Sequence, residues 1–267
     1  MIWKRVSTKF PCPICKHDSW CMVNGVAVMC MRVASEQTKA FRDGSVAYIH
    51  RLTEPLPDLP KVDRKPEPVI NCAKLLDAWV RNMPFGLVRL ATKLGVSQNA
   101  LARLNCCFAR EHHAWAFPMR DGYGELVGIR LRHESGKKWA VPGSHAGIFL
   151  PCGDAQELAL ICEGPTDTAA ALSMGFFAVG RPSCSGGGGH IRTALKRLCV
   201  RRAVIVADKD DPGMRGAMML AEQLPVSNCI VLLPTKDVRE FANRGGDRTT
   251  FESILSALVW RQPKVNV

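Results

Sequence analysis

Short apolar runs that end on acidic turns punctuate the second half of the chain. Leu158-Ala159-Leu160-Ile161-Cys162 breaks into Glu163-Gly164-Pro165-Thr166-Asp167, and Ala203-Val204-Ile205-Val206-Ala207 breaks into Asp208-Lys209-Asp210-Asp211-Pro212-Gly213. Runs of that length bounded by turn residues read as buried strands of a parallel sheet. Around them the pattern predicts helices over residues 168–174, 191–198 and 214–224 and strands over 176–179 and 229–233. A terminal helix with a basic tail is expected from residue 241 onward. Upstream, apolar positions recur at helical spacing through residues 71–104. Leu75, Leu76, Trp79 and Val80 precede a break at Met83-Pro84, and Leu87, Leu90, Leu94, Leu101 and Leu104 follow it. The piece turning at Leu94-Gly95-Val96-Ser97 has the pattern of a helix-turn-helix DNA reader, and equally of a helical hairpin packed on a sheet. From Ala114 the period changes to two, predicting strands over 115–120, 125–132 and 137–141, the first pair joined at Asp121-Gly122.

Prolines at 55, 57, 60, 66 and 68, interleaved with charges, predict an extended tether. The chain therefore divides into an N-terminal module (1–51), a Pro-rich linker (52–70), a helical and β-meander basic subdomain (71–155) and an α/β domain (156–267). A length of 267 residues and an apolar fraction of 47% allow a proper core. No apolar run is long enough for a membrane span, and Met1-Ile-Trp-Lys-Arg does not open a signal segment, so a cytoplasmic location is expected. A net charge of +12 and a pI near 9.3 suit a polyanionic partner, nucleic acid before membrane, although positive charge also aids solubility.

In a reducing compartment the twelve cysteines are thiols or metal ligands rather than bridges. Cys12-Pro13-Ile14-Cys15 is a C-x-x-C knuckle, and Cys21 and Cys30 would complete a tetrahedral zinc site, with His17 as the alternative to Cys21. A module this small has no core of its own, so the metal would supply its folding energy. Asn24-Gly25 signals a hairpin turn, with Val26, Val28 and Met29 in a strand leading to Cys30. Basic residues outnumber acidic ones across residues 1–51, and Trp20 sits among the ligands, where it would stack on a base or cover the metal site.

The two acidic turns form the second constellation. In open α/β sheets functional groups collect beyond the carboxyl ends of the strands, so Glu163, Asp208 and Asp210 would share one small volume, with Asp167 nearby. Carboxylates so clustered repel unless a divalent cation neutralises them, and an all-oxygen set suits Mg²⁺ or Mn²⁺. Asp at a strand-to-helix turn is also a good N-cap, which is the structural alternative. The glycine run 186–189 lacks P-loop spacing and reads as a flexible loop.

Strand–Glu-Gly followed by strand–Asp-x-Asp-x-x-Gly resembles the Toprim domain of DnaG-type primases, topoisomerases and some nucleases. A zinc module ahead of it resembles the layout of bacterial and bacteriophage primases. The spacing of Cys21 and Cys30 departs from the second tight pair that usually closes such zinc modules. The resemblance implies an α/β fold: a Toprim-type parallel sheet with helices, preceded by a helical plus β-meander subdomain and a zinc-ribbon-like module. It implies a primase that makes short RNA primers by metal-dependent nucleotidyl transfer, with Glu163, Asp208 and Asp210 catalytic. Asp237, after the strand at 229–233, matches a further acidic position, and Asp167 joins the same magnesium set. By position, Arg130, Arg132 and Lys236 match basic residues that bind nucleotide or template, although Arg130 and Arg132 also read as two solvated strand arginines. The implied partners are a single-stranded DNA template, nucleoside triphosphates and, because no helicase motif is fused, a replicative helicase acting in trans. A Toprim nuclease and a non-catalytic zinc/Toprim single-stranded-DNA-binding protein are the alternatives.

Overall fold

A computed structural model describes residues 3–41, 46–56, 71–83 and 86–263 of the chain. It comprises two compact units, Met1–Glu67 and Pro68–Val267. Most of the proline-rich linker expected over 52–70 lies outside the described residues, as does Pro84 of the expected helix break.

The first unit is a five-stranded antiparallel sheet of β1 (Lys4–Arg5), β2 (Met22–Val23), β3 (Ala27–Cys30), β4 (Gln37–Ala40) and β5 (Val46–Arg51), in the order β1-β2-β3-β5-β4. Among the described residues its core cluster is Val6, Val23 and Val28 gathered around Cys12, Cys21 and Cys30. Asn24 closes the β2–β3 hairpin by accepting the Ala27 N–H at 2.8 Å on its side-chain oxygen. The alternation expected around Val26 thus appears as β3, whereas β1, β4 and β5 carry no sequence signal strong enough to have been anticipated.

The second unit opens with three helices, α1 (Cys72–Arg81), α2 (Val88–Leu94) and α3 (Gln98–Arg103). Asn71 caps α1 and Ser97 caps α3 through their side-chain oxygens. An antiparallel sheet follows, of β6 (Cys107–Ala109), β7 (Ala114–Arg120), β8 (Leu126–His133) and β9 (Lys138–Ala140), paired in chain order. One face of this meander, with Ala114, Ala116, Ile129 and Leu131, buries against Leu76 and Trp79 of α1. The other face, with Trp115, Phe117 and Met119, joins the larger core.

The remaining elements are β10 (Leu158–Glu163), α4 (Gly164–Ser173), β11 (Phe177–Arg181), α5 (Gly188–Arg197), β12 (Arg202–Val206), α6 (Asp211–Gln223), β13 (Ser227–Val231), α7 (Val238–Asn243) and α8 (Arg248–Ser256). The strands form a parallel sheet in the order β11-β10-β12-β13. Period-two alternation assigns its faces. Leu160, Cys162, Val204 and Val206 face the side covered by α4, α7, α8 and the α2–α3 hairpin. Ala159, Ile161, Ala203 and Ile205 face α5 and α6. The α2–α3 hairpin is therefore a packing element: the Ser97 N–H bonds the Ser173 hydroxyl of α4 at 2.8 Å, and Leu94 and Leu101 are buried. Residues 148–149 join the two sheets, Ile148 exchanging backbone bonds with Arg120 and Phe149 with Gly180.

Several expected boundaries move, α4 and α6 starting earlier, at Gly164 and Asp211 rather than at residues 168 and 214. Half of the glycine run is helical, because Gly188 and Gly189 form the first turn of α5. The terminal helix is two helices, α7 and α8, each capped by an aspartate, Asp237 and Asp247. The fourth strand runs over 227–231 rather than 229–233, since Leu232 and Leu233 lie in the turn beyond it.

Candidate active site and zinc centre

In the first unit the ligating sulfurs of Cys12, Cys15, Cys21 and Cys30 all lie within 4.8 Å of one another. Among the described residues this is the only group of three or more His, Cys, Asp or Glu side chains drawn so close. The Cys15–Cys21 and Cys21–Cys30 sulfur separations are 3.6 and 3.9 Å. A tetrahedron with zinc–sulfur bonds of about 2.3 Å has edges of about 3.8 Å, so the four thiols fit a zinc ion. Backbone N–H groups of Met31, Arg32 and Val33 point at the Cys21 and Cys30 sulfurs at 3.3–3.5 Å, a donor set that stabilises thiolate. The Arg32 guanidinium lies 3.7 Å from Cys21 Sγ and is held by the Ser19 carbonyl at 2.8 Å. His17 takes another part: its carbonyl accepts the Cys12 N–H and so shapes the knuckle, while Cys21 completes the group of four sulfurs. Trp20 is more than half exposed and stands at φ 70°.

In the second unit the chain leaves β10 for β11 on one side and returns to β12 on the other, so the strand order reverses between β10 and β12. A crevice beyond the carboxyl ends at such a reversal is where open α/β sheets bind ligands. Glu163 is the last residue of β10, and Asp208 follows two residues after β12. Gly164, at φ 80°, turns the chain directly from Glu163 into α4 without the strain a side chain would bring. Asp210 caps α6 by accepting the Gly213 N–H at 2.7 Å. A Cβ at Gly213 would stand 2.9 Å from that same carboxylate oxygen and from the Asp208 carbonyl, so only glycine lets α6 start this close to both aspartates. Asp237 caps α7, accepting the Glu240 N–H at 2.7 Å. Capping thus accounts for one oxygen each of Asp210 and Asp237, but not for Glu163, whose side chain makes no cap bond.

Burial and mutual repulsion set the electrostatics. Burial, then the charge of Asp208, pushes the Glu163 carboxyl up to about 7, with Arg181 pulling the other way. Asp167, in the first turn of α4, is also pushed up to about 7 by burial and by Asp237, while it accepts the Arg239 N–H at 3.2 Å. Asp208 shifts upward through burial, Asp210 and Asp237. Asp208 is thus linked electrostatically to each of the other four carboxylates, although no three of them meet as tightly as the cysteines do.

Facing them is the basic edge of the meander. Arg132 pairs in register with Lys138, and Arg130 with Ala140, so the three long cations lie on one face of β8–β9. Burial lowers the pKa of Arg132, with Arg239 adding repulsion and Asp167 and Asp237 offsetting it. Burial, then Arg132, lowers that of Lys138, against the attraction of Asp167 and Glu163. Arg130 is desolvated as well, and its buried Nε has no hydrogen-bond partner among the described residues. Lys236 acts electrostatically on Asp208. Two groups escaped the sequence reading. Lys138 is identified by its in-register position opposite Arg132. Arg181, buried beside Glu163 in the β10–β11 register and bonding the carbonyls of Gly186 and Gly216 at 3.3 Å, ends a strand that reads as apolar.

No protein-family model matches the sequence, and a search of curated proteins gives no match. Solved structures do. The chain is similar to the primase fragment of the bacteriophage T7 primase-helicase protein, with a TM-score of 0.52 and 16% identity over 95% of this chain and 100% of that one. It is similar to the zinc-binding and RNA polymerase domains of Aquifex aeolicus primase, with a TM-score of 0.55 and 15% identity over 71% and 60%. It is also similar to a DnaG primase catalytic domain bound to single-stranded DNA, with a TM-score of 0.53 and 17% identity over 70% and 78%. The chain has the fold of the catalytic cores of DnaG-type and bacteriophage primases, with a four-cysteine zinc-binding cluster at its N-terminal end.

Proposed function

We propose that this protein is a DNA primase that synthesises short RNA primers on single-stranded DNA by metal-dependent nucleotidyl transfer through a Toprim-type centre. The observation that carries the reading is the arrangement at the β10/β12 reversal. Carboxylates from three strand ends face a basic strand pair there, in a fold shared with primases. Glu163, Asp208 and Asp210, with Asp167 and Asp237, would hold Mg²⁺ or Mn²⁺. The donor set is all oxygen, and burial followed by mutual repulsion, which together lift Glu163 and Asp167 to about 7, are costs that a divalent cation offsets. When bound, such a cation supplies a lowered pKa at the primer 3′-hydroxyl and neutralises charge on the phosphates.

The chain's own groups do the rest. Glu163 would accept the hydroxyl proton. Arg130, Arg132, Lys138 and Lys236 bind the triphosphate of the incoming nucleotide or the template backbone. The buried, unpartnered Arg130 Nε supports this, because a donor left without an acceptor is costly and a phosphate oxygen would satisfy it. The zinc module, with exposed Trp20 available to stack on a base, engages the template. Nucleoside triphosphates, single-stranded DNA and a replicative helicase in trans are the partners.

Incubation with single-stranded DNA, labelled ribonucleotides and Mg²⁺ tests the reading, and short RNA products are expected. Asp208→Asn and Asp210→Asn should abolish synthesis while keeping the fold, since asparagine preserves the α6 cap. Full activity in both variants refutes the assigned centre. Template degradation would mark a nuclease, and template binding without product a non-catalytic module.

A further inference from the structure

We propose that the outer face of α5, together with Tyr123 at the tip of the β7–β8 turn, is a second contact surface for single-stranded nucleic acid, separate from the acidic centre. The choice of a polynucleotide partner rests on the reading above, while the surface itself rests on its own geometry. α5 buries Ile191, Ala194 and Leu195 against the sheet, which turns Arg192 and Lys196 outward one helical turn apart. The helix contains no acidic residue. A groove of about 520 Å³ runs along it, lined by Arg192, Thr193 and Lys196 and across from them by residues 222–225.

The other flank of α5 holds the turn. Arg197 Nε donates to the Gly122 carbonyl at 3.2 Å. Gly122 lies so close to the helix that a Cβ there would come within 2.7 Å of the His190 carbonyl. Asp121 Oδ1 accepts the N–H groups of Tyr123 and Glu125 at 2.9 and 3.0 Å, which fixes the turn and engages that acid. Tyr123 is nevertheless 71% exposed, a large ring on a fixed support with no core to enter. A rigid exposed aromatic beside a row of cations is the arrangement that binds single strands, the ring stacking on a base while the cations take the phosphates. Glu222, the acid across the groove, is drawn to Arg261 at 4.0 Å. α5 also begins two residues after Gly186, whose carbonyl Arg181 holds beside Glu163, so the surface starts next to the acidic centre and leads away from it.

The test is anisotropy of a fluorescein-labelled oligo(dT) titrated with the full zinc-loaded chain, without Mg²⁺, across a range of NaCl concentrations. Arg192→Ala/Lys196→Ala should reduce the slope of log K against log salt by about 1.4, two single-strand phosphate contacts at about 0.7 each. Tyr123→Ala should weaken binding about fivefold or more, and Tyr123→Phe should restore it, since stacking needs the ring and not the hydroxyl. The same titrations in an Asp208→Asn background should give the same differences, because this surface does not depend on the chemistry. Loss of synthesis without change in these isotherms would therefore concern the acidic centre alone. Unchanged slope and affinity in the double and the tyrosine variants overturn the proposal. So does a double variant that loses only binding of poly-glutamate, the sign of an acidic protein partner.

Discussion

Replacing Glu163 by glutamine should make the metal-free protein more stable at pH 8, not less. The Glu163 carboxyl is half-buried and takes no hydrogen bond among the described residues, and its pKa rises from an ordinary value of 4.5 to about 7. A carboxyl whose folded pKa is raised holds its proton longer when folded than when unfolded. Folding therefore gains nothing from it below about pH 4.5 and loses progressively as pH rises toward 7, where the full cost is reached. At about 1.36 kcal/mol per unit, that cost has a ceiling of about 3 kcal/mol. Glutamine keeps the shape and removes the charge. Urea unfolding of wild type and Glu163→Gln in magnesium-free buffer should thus give nearly equal free energies at pH 4.5 and a more stable variant at pH 8. The zinc module contributes equally to both proteins and cancels in the difference. Adding Mg²⁺ at pH 8 should close most of that gap, because a bound cation stabilises wild type by about 2.7 kcal/mol at a hundredfold excess over its dissociation constant. A variant no more stable than wild type at pH 8, or a difference that does not change with pH, would refute the idea that Glu163 sits in repulsion awaiting a cation.

Other parts of the fold give further tests. Arg181→Met leaves the Gly186 and Gly216 carbonyls without that donor, at about 1–3 kcal/mol each, and removes the cation nearest Glu163. Unfolding free energy should fall, and Arg181→Lys should restore part of it; an Arg181→Met protein as resistant to urea as wild type would argue against the role of these two hydrogen bonds. Elemental analysis should find one zinc per chain in wild type and in His17→Ala, and far less in Cys21→Ser, because His17 contributes only its carbonyl to the knuckle. The reverse result would exchange the two ligands.

The parts legible in sequence are those where one physical demand leaves one pattern. A strand buried on both faces must be apolar throughout and must end where the chain turns, so β10 and β12 and the acids at their ends could be placed from residues alone. The C-x-x-C knuckle is legible for the same reason, since two thiols must converge on one ion. The α2–α3 hairpin shows the limit: its periodicity fits a DNA reader and a packing element equally, and only the contact of Ser97 with Ser173 separates them. Edge strands such as β4, exposed at every residue, carry no hydrophobic signal to read. The glycine run failed for a different reason, since glycine disfavours a helix only on average and the first turn of α5 tolerates it where Gly187 has already made the left-handed turn.

Arg181 and Lys138 were illegible because their meaning is positional. Each is one basic residue among 36, and nothing in its neighbours along the chain marks it. Arg181 matters because parallel pairing places it level with Glu163, and Lys138 because antiparallel pairing places it level with Arg132. Both registers follow from strand order, which no local pattern specifies. The acidic residues, by contrast, sit at strand ends whichever way the strands are ordered. A centre of this kind therefore shows its anions in the sequence and its counter-charges only in the fold. The same logic extends to Tyr123, which the sequence presents as an ordinary turn residue. Only the packing of Gly122 on α5 brings that turn against the helix that carries Arg192, Lys196 and Arg197.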